Sequence, residues 1–188
     1  THEHSDHVMG MDDLRRFCEL SEGGVLPMYT TKNGTETVQR IFPYTLLGKP
    51  VRQGYPSFNM KIMPTELEVP GGWIRSTLLP HPPIETLGLV FEERSSRKKI
   101  AYYSDCKTIP EEAFQLAKGA DIFIVDGLRP MGDNPSHMTI SEAVAAAQKV
   151  NAPRSYLTHI GVEVDHDTIS KTLPKDIELA YDGLKIVL

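Results

Sequence analysis

The segment Thr1-His2-Glu3-His4-Ser5-Asp6-His7, which opens the sequence, combines three histidines with an aspartate within six positions. In an extended segment alternate side chains point to the same side, so His2, His4 and Asp6 are expected to converge, with His7 joining them at the end. Imidazole and carboxylate ligands suit zinc, manganese or iron better than calcium or magnesium. A histidine tag is a plain run without an interrupting carboxylate, so the pattern favours a metal site over a tag remnant or a frayed chain end.

The overall composition is that of an ordinary globular protein and excludes several classes of partner. The 188 residues are enough to bury the core of a single domain, residues 1–188. A formal net charge of −5 gives no general attraction to nucleic acid or to an anionic membrane. No apolar run is long enough to span a bilayer, and no secretory signal is visible. Cys18 and Cys106 belong to no paired-cysteine motif, which favours a reducing, cytoplasmic setting.

The hydrophobic pattern predicts a mixed α/β fold, with strand pairs in the first part and strands alternating with helices in the second. Helices are expected over residues 12–20, 35–42, 110–118, 141–150 and 168–173. Strands are expected over residues 25–29, 58–63, 66–69, 73–79, 86–93, 99–104, 121–125, 155–157, 177–181 and 184–188. Residues 43–56, which are rich in proline and glycine, are expected to form a loop.

Four polar residues beyond the first segment follow strands or precede a helix. Asp105 and His159 end apolar strands, His81 lies in a proline-rich loop after a strand, and His137 precedes the alanine-rich helix. Taken alone, each has an ordinary structural interpretation as a surface residue, a loop-capping carboxylate or part of a helix cap.

Two further residues are interpreted as structural. Cys106 is expected to be a small buried residue rather than a thiolate ligand, because free cysteines usually are. His166 lies between Asp165 and Asp167, where an acidic cluster is typical of the start of a helix.

The pattern His2-x-His4-x-Asp6-His7 resembles the signature motif of the metallo-β-lactamase superfamily of binuclear metallohydrolases. Its spacing is most similar to the phosphodiesterase branch, which includes ribonuclease Z and the cyclic phosphodiesterase of phosphonate breakdown. Ser104-Asp105, Leu157-Thr158-His159-Ile160 and Ser136-His137-Met138-Thr139 extend the similarity across the whole chain.

The resemblance implies an αβ/βα sandwich whose signature motif normally lies well inside the domain. Strands that precede the motif are therefore expected to be missing from this sequence. One sheet should then expose apolar area that another chain covers, for example in a homodimer.

The resemblance also implies the roles of the candidate residues. His2, His4 and His81 would hold one divalent ion, Zn²⁺ or Mn²⁺. Asp6, His7 and His159 would hold the second ion, and Asp105 would bridge the two. His137 would be a general acid or a phosphate-binding group rather than a ligand, and with Asp6 it forms the predicted catalytic pair.

The expected activity is that of a binuclear metal-dependent phosphodiesterase acting on small or cyclic phosphodiesters. Two ions that share one hydroxide lower its pKa and neutralise the charge that develops on phosphorus. The expected partner is thus a small-molecule substrate, and neither a large nucleic acid nor a membrane is expected. Two alternatives stay open, namely a lactone, thioester or β-lactam hydrolase on the same scaffold and a non-catalytic metal-binding remnant.

Overall fold

The computed structural model describes residues 1–46 and 54–188 of the chain. These residues form two compact units, Thr1–Met63 and Pro64–Leu188. Within the described ranges, the helices are all too short or too polar to cross a membrane.

The first unit combines short helices with a small parallel sheet. Its α-helices are α1 (Ser5–Val8), α2 (Arg15–Leu20) and α3 (Lys32–Ile41), and its strands are β1 (Leu26–Thr30) and β2 (Phe58–Ile62). Short 3₁₀ segments cover Met9–Leu14, Glu22–Gly24 and Pro43–Thr45. The two strands pair in parallel, and α3 lies in the connection between them, as a parallel pair requires. Buried apolar side chains of this unit form a core made of Val8, Met11, Cys18, Val38, Phe42 and Phe58.

The extended geometry predicted for the first segment holds only as far as His4. His4 has φ −65° and ψ 153° and is the N-cap of α1, and the amide of Val8 donates to its carbonyl oxygen at 3.1 Å. In a helix the side chains turn with a period of 3.6 residues, so the predicted alternation is wrong for Asp6. The segment instead opens α1.

The second unit is built on a seven-stranded sheet whose strands lie in sequence order. The strands are β3 (Glu66–Val69), β4 (Gly72–His81), β5 (Ile84–Glu93), β6 (Lys99–Tyr103), β7 (Ile122–Asp126), β8 (Arg154–Thr158) and β9 (Ile177–Leu179). Strands β3 to β6 pair antiparallel, and β6 to β9 pair in parallel. The parallel crossovers carry α4 (Glu111–Ala117), α5 (Ile140–Val150) and α6 (His166–Ser170).

This topology brings four strand ends to one edge of the sheet. Because β5 is antiparallel to both β4 and β6, strand β4 runs in the same direction as β6, β7 and β8. The carboxyl ends of these four strands therefore meet, and open α/β sheets bind their ligands at such an edge.

The core of the second unit lies between the sheet and its helices, where close packing requires small residues. Ala143 and Ala147 of α5 are buried, and the Tyr103 hydroxyl donates to the Ala113 carbonyl oxygen at 2.7 Å, which ties β6 to α4. At Gly88 of β5 an added Cβ would lie 2.9 Å from the side chains of both Leu79 and Tyr103.

The predicted α/β class is confirmed, with two corrections to its elements. His81 is the last residue of β4 and pairs with Ile84 of β5, so its predicted place in a loop is wrong. The predicted strand over 184–188 is also wrong, because residues 184–188 form no strand ladder with the other described residues; the Val187 carbonyl instead accepts from the Arg154 side chain. Residues 47–53 of the predicted loop lie outside the described residues, and the single-domain organisation stays a prediction.

Candidate metal centre

In the first unit the three predicted histidine ligands form a cluster of rings. The His2 ring centroid is 4.5 Å from that of His4 and 4.2 Å from that of His7. His2 is buried, and its Nδ1 is 3.2 Å from the Thr1 hydroxyl oxygen. Asp6 joins the cluster through an oxygen 3.3 Å from His7 Nε2. Four donor side chains of the kind that zinc and manganese accept are thus gathered by the start of α1.

In the second unit the candidate residues lie at the edge where β4, β6, β7 and β8 end. His81 closes β4, Asp105 follows β6, and His159 follows β8. His159 Nε2 is 3.1 Å from an Asp105 oxygen. His81 Nδ1 is 2.8 Å from the Ser136 carbonyl oxygen. A carbonyl oxygen only accepts, so Nδ1 carries the proton and Nε2 presents the lone pair with which imidazole binds a metal.

Two of these residues are held in an unusual backbone conformation. Asp105 and His159 have φ angles of 52° and 58°, in the left-handed region that residues other than glycine rarely adopt. The Asp105 carbonyl accepts a hydrogen bond of 3.0 Å from the buried Thr86 hydroxyl. Backbone strain of this kind is maintained by the surrounding structure and clusters at functional sites. The strain indicates that the fold positions both side chains for a ligand.

The donor set of this edge fits divalent metal ions. Ligand atoms of His81, Asp105 and His137 lie within 4.8 Å of one another, as do those of Asp126, His137 and His159. Asp105 is buried to 1% exposure and Asp126 to 0%. Buried carboxylates are stable only beside cations or hydrogen-bond donors. Buried carboxylates next to imidazoles therefore suit zinc or manganese.

Asp126 is a candidate site residue that the sequence alone does not single out. It ends β7, and its Oδ2 accepts from the Cys106 amide at 2.9 Å and lies 2.8 Å from His137 Nδ1. The available signal was an acid at the end of an apolar strand, the same signal that identified Asp105. Its importance comes from its partner His137, which is brought to it by the loop that precedes α5.

His137 is fixed on several sides. The amide of His137 donates to the Asn134 side-chain oxygen at 2.9 Å. Its ring stacks on His159, with centroids 4.7 Å apart and planes at 10°, and meets the His81 ring edge-on at 4.6 Å. Thr139, two residues later, forms a complete capping box with Glu142 at the start of α5. This cap is local in sequence, but the ring contacts exist only in the folded chain.

The two residues interpreted as structural behave accordingly. Cys106 is fully buried, and its burial, followed by the nearby carboxylates of Asp126 and Asp105, raises the pKa of the thiol well above its ordinary value. His166 is exposed at the start of α6, where the Asp165 side chain accepts from the Thr168 amide at 2.8 Å.

Comparison with known proteins places the chain in a family. Residues 1–160 match the model of the beta-lactamase superfamily domain. An octanoyltransferase from Porphyromonas gingivalis (strain ATCC BAA-308 / W83) is 29% identical over 194 residues, which cover 100% of this chain. The chain spans only 37% of the length of that protein.

Solved structures show the same fold. A diphosphatase of the PhnP family superposes with a TM-score of 0.85 at 28% identity, covering 100% of this chain and 69% of the other. Zn²⁺-bound PqqB from Methylobacterium extorquens superposes with a TM-score of 0.73 at 20% identity, covering 100% of this chain and 71% of that one. The short form of human tRNase Z superposes with a TM-score of 0.69 at 17% identity, covering 98% and 75%.

These matches confirm the resemblance that the first segment predicts and the metallo-β-lactamase fold. The chain belongs to the beta-lactamase superfamily, has the metallo-β-lactamase fold, and resembles the phosphodiesterase branch of that superfamily.

Proposed function

We propose that the chain is a binuclear metal-dependent phosphodiesterase that acts on small or cyclic phosphodiesters. The observation that carries this proposal is the contact between the buried Asp126 carboxylate and the His137 ring. That ring stacks on the His159 ring, and His159 itself contacts Asp105. Such a pair beside a metal-binding edge provides an acid for the leaving group as well as ligands. The similarity to a diphosphatase and to tRNase Z supports a phosphorus-containing substrate.

The proposed ligands are those that the family resemblance implies. One ion would be held by His2, His4 and His81 and the other by Asp6, His7 and His159, with Asp105 bridging. Two divalent ions bound there would lower the pKa of a bound water and neutralise non-bridging phosphate oxygens. The buried, strained Asp105 and the oriented His81 are held in place before any ligand arrives, which reduces the cost of ordering the site.

His137 is proposed to protonate the leaving oxygen. An alkoxide leaving group needs a proton, and imidazolium is able to donate one near neutral pH. Because Nδ1 faces Asp126, the proton that reaches the substrate is the one on Nε2. Asp126 acts through His137, as a positioning residue that fixes the ring and opposes its positive charge. Asp6 keeps its proposed double role as ligand and catalytic residue.

The metal requirement is tested by elemental analysis combined with hydrolysis of bis-p-nitrophenyl phosphate. We expect two ions per chain after reconstitution with Zn²⁺ or Mn²⁺, and hydrolysis that a chelator abolishes and added metal restores. One ion per chain, or none, contradicts the binuclear centre. The small-molecule substrate, the cytoplasmic setting and the homodimer stay predictions. Sedimentation tests the homodimer, and a localisation experiment tests the cytoplasmic setting.

The role of His137 is tested by His137→Ala with two substrates that differ in their leaving group. For a diester with an alkoxide leaving group, the rate should fall by about two to four orders of magnitude, the usual effect of losing a general acid. p-Nitrophenolate needs little protonation, so its release should suffer much less. His166→Ala removes an exposed histidine outside the site and is the matched control. Equal losses for both substrates would mean that His137 only binds phosphate, and metal loss would mean that it is a ligand.

An acyl substrate is the second candidate, and the similarity to an octanoyltransferase favours it. On the same scaffold, the site would then hydrolyse a lactone, thioester or β-lactam bond. Comparing an octanoyl thioester with bis-p-nitrophenyl phosphate under identical metal loading separates the two. A protein that binds metal but hydrolyses neither compound would be the non-catalytic remnant.

A further inference from the structure

The backbone of Leu128 connects the two histidine-bearing loops of the second unit. Its amide donates to the Met138 carbonyl oxygen at 3.1 Å, next to His137, and its carbonyl accepts from the Gly161 amide at 2.7 Å, two residues after His159. The next residue, Arg129, forms an isolated parallel bridge with Thr139. Arg129 therefore lies at the same edge of the sheet as both histidines.

The guanidinium of Arg129 is incompletely paired. Its Nε is buried and has no hydrogen-bond acceptor within residues 1–46 and 54–188. Its Nη2 lies 3.5 Å from a Glu163 oxygen, whereas a charge-assisted hydrogen bond is about 2.7–2.9 Å long. The side chain as a whole is 32% exposed, so the outer N–H groups of its guanidinium, rather than Nε, are the ones that an anion from outside the chain would reach.

Glu163 occupies the position in which such an anion would lie. An added Cβ at Gly161 would be 2.8 Å from both the Glu163 carboxylate and the Leu128 carbonyl oxygen, so glycine is what leaves room for the carboxylate. The Glu163 side chain is 52% exposed, which makes it displaceable. The neighbouring Met131 and Val162 are exposed at 82% and 102%, so these loops leave surface open to a ligand.

The loops that follow β6, β7 and β8 contain one lysine or arginine besides Arg129, and this residue, Lys107, already has an acidic partner. The Lys107 ammonium lies 3.0 and 3.2 Å from the two oxygens of Glu142. Arg129 is thus the cation of these loops that is left for a ligand.

We propose that Arg129 binds a second anionic group of the substrate, the phosphoryl group beyond the scissile bond, so that diphosphate diesters are preferred over singly charged diesters. This inference rests on the proposed function and names its substrate class. A guanidinium offers two parallel N–H donors to phosphate oxygens, a geometry that an ammonium lacks. In the reaction, water supplies a hydroxyl to one phosphorus and a proton to the other phosphate as the bridging P–O bond breaks, which yields two monoesters.

The inference is tested with bis-p-nitrophenyl phosphate, which carries one negative charge, and P¹,P²-bis(p-nitrophenyl) diphosphate, which carries two. Arg129→Gln should raise the KM for the diphosphate about tenfold or more, the effect of losing a charged hydrogen bond. The kcat for the diphosphate and the KM for the monophosphate diester should change less than about twofold. Arg129→Lys should restore only part of the loss. Glu163→Gln should lower the KM for the diphosphate because it removes the competing carboxylate.

Arg154→Gln is the matched control, since Arg154 begins β8 at the opposite end of the strand. Methylenediphosphonate has a methylene group in place of the bridging oxygen and is therefore not hydrolysed. Isothermal titration with this compound measures binding without turnover. Equal KM changes for both substrates, or unchanged methylenediphosphonate affinity in Arg129→Gln, would overturn the inference. A parent protein that binds methylenediphosphonate through Arg129 but hydrolyses neither ester would overturn the proposed function and leave this anion site standing.

Discussion

Replacing Asp126 by asparagine should slow the proposed reaction through His137 without emptying the metal site. Asp126 Oδ2 contacts both the Cys106 amide and His137 Nδ1, at 2.9 and 2.8 Å. An asparagine oxygen in the same place keeps both contacts and removes the negative charge, while an amide nitrogen replaces the other oxygen. A hydrogen bond to a charged group contributes about 1.5–3 kcal/mol and a neutral one about 0.5–1.5 kcal/mol.

The difference between these values is about 1–1.5 kcal/mol, which corresponds to roughly five- to tenfold in rate. We expect Asp126→Asn to lose that factor on a diester with an alkoxide leaving group and much less with p-nitrophenolate. Asp126→Ala should lose more, about tenfold to 150-fold, and should also destabilise the fold because the buried Cys106 amide loses its acceptor. Steady-state kinetics with both substrates, metal analysis and thermal unfolding measure the three effects separately.

Asp121→Asn is the control for this comparison. Asp121 lies just before the start of β7 and binds the Lys98 side chain and the Lys99 amide. Its substitution therefore removes a carboxylate next to the same strand, at the opposite end from His137. If Asp126→Asn slows both substrates equally, the carboxylate does not act through the leaving-group proton. If it loses metal, Asp126 is a ligand, and the positioning role is wrong.

Three further perturbations test other parts of the structure. Asp105→Ala should lower the metal content by more than one ion per chain, because a bridging ligand serves both ions; elemental analysis that still finds two ions would contradict the bridge. Gly88→Ala should destabilise the chain by about 1–3 kcal/mol, since its methyl group would meet buried side chains at 2.9 Å, and denaturant unfolding measures this loss. Cys18 and Cys106 are both buried, so Ellman's reagent should react with them only after denaturant is added, and rapid labelling of the native protein would contradict their burial.

The sequence determined the identity of most candidate residues because their signals are local. The first segment carries four donor residues within six positions, so no long-range information is needed to recognise it. Asp105 and His159 follow apolar strands, and a strand end is visible in the hydrophobic pattern. The helix caps at Thr139 and Asp165 bind residues three positions away, so they are local features of the same kind.

The tertiary structure alone decided which residues act together. The flanking prolines predict a loop at His81, but pairing with Ile84 extends β4 through it, and ladder hydrogen bonds override the local proline signal. Asp126 and His137 meet because a loop folds back on the end of β7, and Arg129 meets Glu163 because two loops share the backbone of Leu128. Contacts between separate loops depend on the pairing of the strands that carry them, and no periodicity in the sequence records that geometry.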